Sequence, residues 1–488
     1  MPTEDGTPSS SCLEHGSDPN KTINERAFVE TIQWDENDPA HPFKRGLARR
    51  WLTVVIVSLC SLCVACTSSI YTTTYDQLLD EFRCSQEVAT LGLSLFVFGM
   101  GFGPLILGPL SEVGSILYGR RIIFLSSFTF FLIWLIPCAV AKNIQTLLIS
   151  RFFNGFAGSA FLSVAGGAVG DMFPRHQLAA PMMIYTASPF VGPELGPLRW
   201  TFYTLLLWAA TMLVSIYLFV PETHHPAILT QKAREIRKET GNSWPLGPSE
   251  NNNIPLSELL LRSIVRPIML LTLEPMCLNL CVYSALLLGI LYLFFGAFQI
   301  VFESVYGFEL WQRGLTFLGL LVGMVLAILS DPFWRRNYQR LEKDHHARNP
   351  EASGFDPEWR LPPAIAGAPL VTIGLFIFSW TTYPSIHWIV PMIGSALFGA
   401  GTILVYSGIF TFLVEAYPSY AASALAANSF TRSTFAGAFP LFGTQMYNTL
   451  GLHWASCLLA FLTLAMVPFP YVFYKYGARI RKKSRFSS

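Results

Sequence analysis

Long apolar runs dominate this chain, and their number and length leave few folds open to it. Stretches of membrane length lie at about 51–70, 88–110, 121–141, 145–170, 178–198, 200–220, 268–298, 313–330, 363–382, 387–412, 419–446 and 453–474. A helix rising ~1.5 Å per residue needs about 20 such residues to cross a ~30 Å hydrocarbon core. Twelve of them use about half of the 488 residues. The composition agrees: 13% of residues are charged, against about 25% in soluble domains. The fold expected is an all-α membrane protein of twelve transmembrane helices. No soluble domain is left over for a conventional catalytic centre, and an enzyme is not expected.

Charge position sets the orientation. With both termini in the cytoplasm, 27 of the 33 Lys and Arg fall in inside segments. Arg83, Lys142, Arg199 and Arg313 lie in or beside outside loops, and Arg151 and Arg432 lie within spans. Cytoplasmic loops of membrane proteins carry this excess of basic residues, and removing one span would invert every later loop. A net charge of +2 with no basic patch excludes a nucleic-acid partner.

The spans divide into two sets of six. A polar, acidic tail (1–50) precedes a first bundle (51–220), a basic linker (221–267), a second bundle (268–474) and a basic tail (475–488). Within the linker, Lys232–Thr240 reads as a short charged helix at the membrane surface. The second long inside segment, Asp331–Pro362, reads as a solvated anchoring loop. Two parallel repeats with substrate held between them predict this layout. An echo supports it: Leu110, Ser111, Glu112 precede Arg120 and Arg121, and Leu329, Ser330, Asp331 precede Arg335 and Arg336. Gly99 with Gly103, and Gly319 with Gly323, give small-residue spacing for tight helix crossings. Cys60, Cys63 and Cys66 sit in an apolar run with no loop to fold around an ion, so they read as packing residues. No metal or cofactor is expected.

Several motifs resemble those of the major facilitator superfamily, and more closely the fungal twelve-span drug:proton antiporters, from about residue 45 to the C-terminus. GPLSEVGSILYGRR (Gly108–Arg121) is similar to the family's loop between helices 2 and 3. The resemblance implies a cytoplasmic latch formed by Gly108, Glu112, Arg120 and Arg121, with Asp331, Arg335 and Arg336 as its echo. LLISRFFNGFAGS (Leu147–Ser159) is similar to the helix 4 motif and places Arg151 within a span. There a guanidinium is costly unless paired, hydrated or able to snorkel to the interface. SPFVGPELGPL (Ser188–Leu198) is similar to the antiporter motif through Gly192, Pro193, Gly196 and Pro197, and VPETHHP (Val220–Pro226) to the signature that closes the first half.

Two departures accompany the likeness. Gly114–Leu117 stand as an insertion between Glu112 and Tyr118. After Leu198 the chain passes directly to the next span, leaving about one residue for a turn that needs two to five. Helix 5 then unwinds near Gly192, or the hairpin is strained, or the sequence misreads its gene.

The resemblance implies proton-coupled export of small organic compounds, such as drugs, polyamines or secondary metabolites, by alternating access. It also implies a monomer in the plasma membrane whose partners are substrate, protons and lipid. Proton-coupling candidates are Arg151, Glu274 and Glu194, because a desolvated carboxylate can exchange a proton in each cycle. Cavity candidates are Tyr185, Phe190, Asn279, Tyr283, Tyr292, Phe295, Tyr406, Phe410, Asn428 and Arg432. Alternatives are a transport-impaired relative, or a polytopic membrane enzyme or receptor.

Overall fold

The computed structural model describes residues 38, 41–172, 198–240, 256–348, 356–417, 420–482 and 484. Its described residues form helices and no strands. In the first half α1 (Leu47–Ser69) ends in a 3-10 turn (Ile70–Thr74), followed by α2 (Tyr75–Phe82), α3 (Gln86–Tyr118), α4 (Arg120–Val140), α5 (Ile144–Met172) and α6 (Leu198–Phe219). Two helices then lead to the second half, α7 (His225–Thr240) and α8 (Leu256–Leu273). That half comprises α9 (Pro275–Tyr306), α10 (Leu310–Leu315), α11 (Phe317–Leu329), α12 (Asp331–Arg348), α13 (Pro362–Thr381), α14 (Ile389–Ala416), α15 (Ala421–Met466) and α16 (Pro468–Arg481).

Nine helical runs among the described residues are long and apolar enough to cross a membrane. One of them, Ser423–Arg481, has 59 residues and does not cross once. Gly451, with φ 76° and ψ 165°, breaks its helix. The Tyr447 hydroxyl then meets the Ser456 hydroxyl at 3.1 Å. Residues nine apart in a straight helix are separated by about 13 Å along the axis, so the chain doubles back here.

Two features depart from the sequence reading for identifiable reasons. Asp331–Arg348 is a helix and not a loop. The span expected at 268–298 begins at Pro275, because a proline at the first helical position forfeits no internal hydrogen bond and pushes the preceding residue out of the helix. Glu274 is that residue, with φ −112° and ψ 95°. It therefore marks a break between α8 and α9 and is not part of a continuous helix.

Two apolar cores result. One is built from residues of α1 to α6, the other from residues of α8 to α16, and Tyr292 and Ala436 of the second half pack into the first. The halves repeat one packing device. A Cβ on Gly155 would lie 1.9 Å from the Phe96 carbonyl oxygen, and one on Gly323 1.8 Å from that of Ala396. Both crossings, α3 on α5 and α11 on α14, depend on backbone approaching backbone, as small residues allow in lipid.

Candidate functional site

Among the described residues the most deeply buried charge is Arg151 of α5, whose side chain is 0% exposed. The 3-10 turn after α1 turns the last carbonyls of that helix toward it. Its guanidinium donates to Thr67 O at 2.7 Å, Ser68 O at 3.4 Å and Gly92 O at 3.3 Å. The rings of Tyr71 and Phe96 flank it, at 4.3 and 4.5 Å from the guanidinium carbon. Carbonyl dipoles at a helix C-terminus and aromatic faces both favour a cation, so this cage solvates the charge without a carboxylate among the described residues. Arg151 does not snorkel.

Beside it the two halves meet. Ser68 Oγ donates to the Tyr292 hydroxyl at 3.2 Å, joining α1 to α9. Phe295 stacks edge-on against Tyr292. On the C-terminal side of the seam, Ser284 of α9 is a hub. Its hydroxyl receives Asn428 Nδ2 at 2.7 Å, and its carbonyl receives the Tyr406 hydroxyl at 3.2 Å. Tyr406 stacks on Phe410, ring centroids 5.5 Å apart, and Arg432 lies 5.4 and 4.8 Å from those two rings. The Arg432 Nε is buried with no hydrogen-bond partner among the described residues, and so are Asn279 Oδ1 and the Tyr283 hydroxyl. A cleft of about 30 Å³ remains, lined by Tyr75, Thr90 and Leu93 from one half and Tyr292, Pro440 and Tyr447 from the other. Organic ligands occupy ~300 Å³ or more. This cleft is therefore too small to hold one.

The helix ends beyond the seam carry the remaining charges. Glu222, in the motif that follows α6, caps α4: its carboxylate receives the backbone N–H of Arg120 at 2.9 Å and of Arg121 at 3.0 Å. Arg121 donates to Tyr217 O at 2.6 Å. Asp331 and Arg335 pair at 3.2 Å within one helix. The α3 backbone stays helical through Gly114–Leu117, so four extra residues add about one turn. Glu274 is 4% exposed and receives Ser484 Oγ at 2.7 Å and the Tyr417 hydroxyl at 3.4 Å. Before α1, burial and neighbouring Lys44 lower the His41 pKa, against a smaller upward pull from Asp38. Glu194, Gly192, Pro193, Gly196, Pro197, Tyr185 and Phe190 lie outside the described residues, as does the side chain of Glu112, while the backbone of Gly108 belongs to α3.

The arrangement thus brings together Arg151, Tyr292, Phe295, Tyr406, Phe410, Asn428 and Arg432 along one seam. Sequence reasoning missed Ser68, Ser284, Tyr71 and Phe96. A serine among leucines gives little signal, and the cage around Arg151 uses backbone oxygens, which no residue pattern announces.

Residues 57–440 match the pattern described as the Major Facilitator Superfamily. The chain belongs to this superfamily. It is 51% identical to an Aspergillus terreus protein named Efflux pump atB, across 97% of this chain and 94% of that one. It is 40% identical to a Saccharomyces cerevisiae protein named Probable drug/proton antiporter YHK8, across 96% and 91% of the two chains. Among solved structures, the proton:xylose symporter XylE has a TM-score of 0.59 at 16% identity, covering 88% of this chain and 96% of that chain. The human organic anion transporter MFSD10 has a TM-score of 0.57 at 16% identity, covering 87% and 100%. At those identities the likeness establishes the fold alone, an all-helical one among the described residues.

Proposed function

We propose that this chain exports small organic compounds such as drugs, polyamines or secondary metabolites in exchange for protons, opening the seam alternately to either side of the plasma membrane. What carries the reading is its near-full-length similarity to a fungal efflux pump and a probable drug/proton antiporter. The charge sorting supports cytoplasmic termini. Substrate binds between the halves, along Tyr292, Tyr406, Asn428 and Arg432. The Arg151 cage spans α1, α3 and α5, so a shift among those helices changes the environment of a fixed charge. Arg151 belongs to the proton-coupling step in this reading, with Glu194 and Glu274 as proton carriers. Gly108, Glu112, Arg120 and Arg121 hold one conformation as a latch, echoed by Asp331, Arg335 and Arg336.

Efflux of a fluorescent drug from cells expressing the protein is the test. Expressing cells retain less dye than controls, and a protonophore abolishes the difference. Equal retention across a broad panel of drugs defeats the reading.

A further inference from the structure

We infer that the compound carried is an aromatic organic acid, moved as its anion, with Arg432 as the residue that selects for the negative charge. The inference rests on the transport reading above and narrows its substrate class.

Charge distribution along the seam is the first argument. Arg151 from one half and Arg432 from the other both act electrostatically on Tyr292. Among the described residues, no carboxylate lies in the middle third of a span. Glu87, Glu303 and Glu415 lie within a turn of their helix ends, and Glu222, Glu274 and Glu358 lie in connections. An organic cation entering this seam meets the Arg432 guanidinium and the field of the enclosed Arg151, with no described countercharge. An anion is drawn to Arg432 in a poorly hydrated setting, where the attraction is far stronger than in water.

The second argument is the geometry at Arg432. Each nitrogen of Arg151 already donates to a carbonyl, whereas Arg432, whose guanidinium also bonds the Tyr406 hydroxyl, has a buried Nε with no partner among the described residues. A guanidinium is a planar fork that matches a carboxylate through two parallel hydrogen bonds. It lies over the stacked Tyr406 and Phe410 rings, so an acid bonded to the fork would have aromatic surface beside it. The position is also at the seam. Neighbouring residues on α15 pack across it, with Phe430 5.4 Å from Phe102 and Ser433 Cβ within 2.7 Å of a Cβ placed on Gly101.

Three polycyclic dyes separate the possibilities: the xanthenes fluorescein, as the anion, and rhodamine 123, as the cation, and the phenoxazinone Nile red as an uncharged dye. Cells expressing the full chain are expected to retain several-fold less fluorescein than controls and equal rhodamine 123. R432Q, at equal membrane abundance, is expected to lose at least tenfold of fluorescein efflux, and R432K to keep part of it. A measurement on the purified wild-type protein does not depend on the variants folding: salicylate should raise its melting temperature, and benzylamine should not. Export of rhodamine 123 or Nile red with fluorescein retained overturns the inference and leaves the transport reading standing. Stabilisation by benzylamine alone, or full fluorescein efflux by R432Q, also overturns it. Retention of all three dyes overturns the inference, and the broad drug panel then decides the transport reading.

Discussion

Glu222 caps the helix that begins at Arg120: one carboxylate just after α6 satisfies the first N–H groups of α4, at 2.9 and 3.0 Å. The same carboxylate receives the N–H groups of Thr223 and His224, both at 2.9 Å. Gly119 makes the approach possible, since its φ is 86° and a Cβ there would lie 2.0 Å from the carboxylate.

The first N–H groups of a helix have no internal partner, and an anion there also meets the positive end of the dipole. Replacing Glu222 by Ala leaves four donors to water and removes the charge. The expected loss is about 1–3 kcal/mol of stability, read as a lower melting temperature of the detergent-solubilised protein. Gly119→Ala should lower it too, because it blocks the cap and strains the backbone. An unchanged melting temperature in both variants would remove the cap from the account.

These same residues separate what the sequence exposes from what it conceals. The apolar runs give the helices because lipid demands internal backbone hydrogen bonding, and that demand is written in composition. The small-residue pairs Gly99 with Gly103 and Gly319 with Gly323 likewise foretell where backbones touch. Glu222 was legible as a charged residue at a helix end, yet its partners are amides of a helix about a hundred residues away, invisible to any local pattern. Glu274 looked like a carboxylate inside a span, and only the effect of Pro275 on the preceding backbone moves it to the end of one. The seam cluster was partly readable through its aromatics, whereas Ser284, its hub, was not.

The repeated helix crossings make a quantitative comparison possible. At Gly155 and Gly323 the obstacle to a Cβ is a backbone carbonyl, at 1.9 and 1.8 Å, so Ala at either position must force the helices apart. Overpacking of this kind costs about 1–3 kcal/mol. At Gly103 the nearest atom is Ser159 Oγ at 1.8 Å, a side chain. Gly103→Ala should therefore be partly rescued by Ser159→Gly. Gly323→Ala has no such single-residue rescue on α14, where the backbone itself is the obstacle. Melting temperatures of the two singles and the double mutant decide the point: no recovery in the double mutant refutes the packing argument.

A charged staple holds the second half where its chain ends. Arg481 of α16 donates to both oxygens of Glu358 at 2.8 Å, and Glu358 is only 5% exposed. Nearby, Arg360 pairs with Glu415 at 2.7 Å, where both side chains are about one third exposed. Breaking a buried pair strands the remaining charge, at a cost of about 3–5 kcal/mol. Exposed pairs contribute about 0–1 kcal/mol. Arg481→Ala should thus reduce stability well beyond Glu415→Ala, and truncation before Ile480 should have the effect of Arg481→Ala. Equal effects of the two point variants would mean the Glu358 carboxylate is hydrated in solution.

Arg151 allows function and stability to be separated. Its cage consists of three carbonyls and two rings, and a buried charge is poor evidence that a residue stabilises the fold, since removing it from water costs about as much as the cage returns. Methionine fills much of the same space without that cost. Arg151→Met is therefore expected to leave the melting temperature unchanged or raised while proton-driven efflux falls at least tenfold. Arg151→Lys is expected to transport poorly as well, because an ammonium is a point charge and does not reproduce a planar fork reaching carbonyls on both α1 and α3. Efflux assays paired with thermal unfolding of the same preparations read both quantities. Arg151→Met that unfolds would make Arg151 a structural residue, and Arg151→Met that exports normally would remove it from the coupling step.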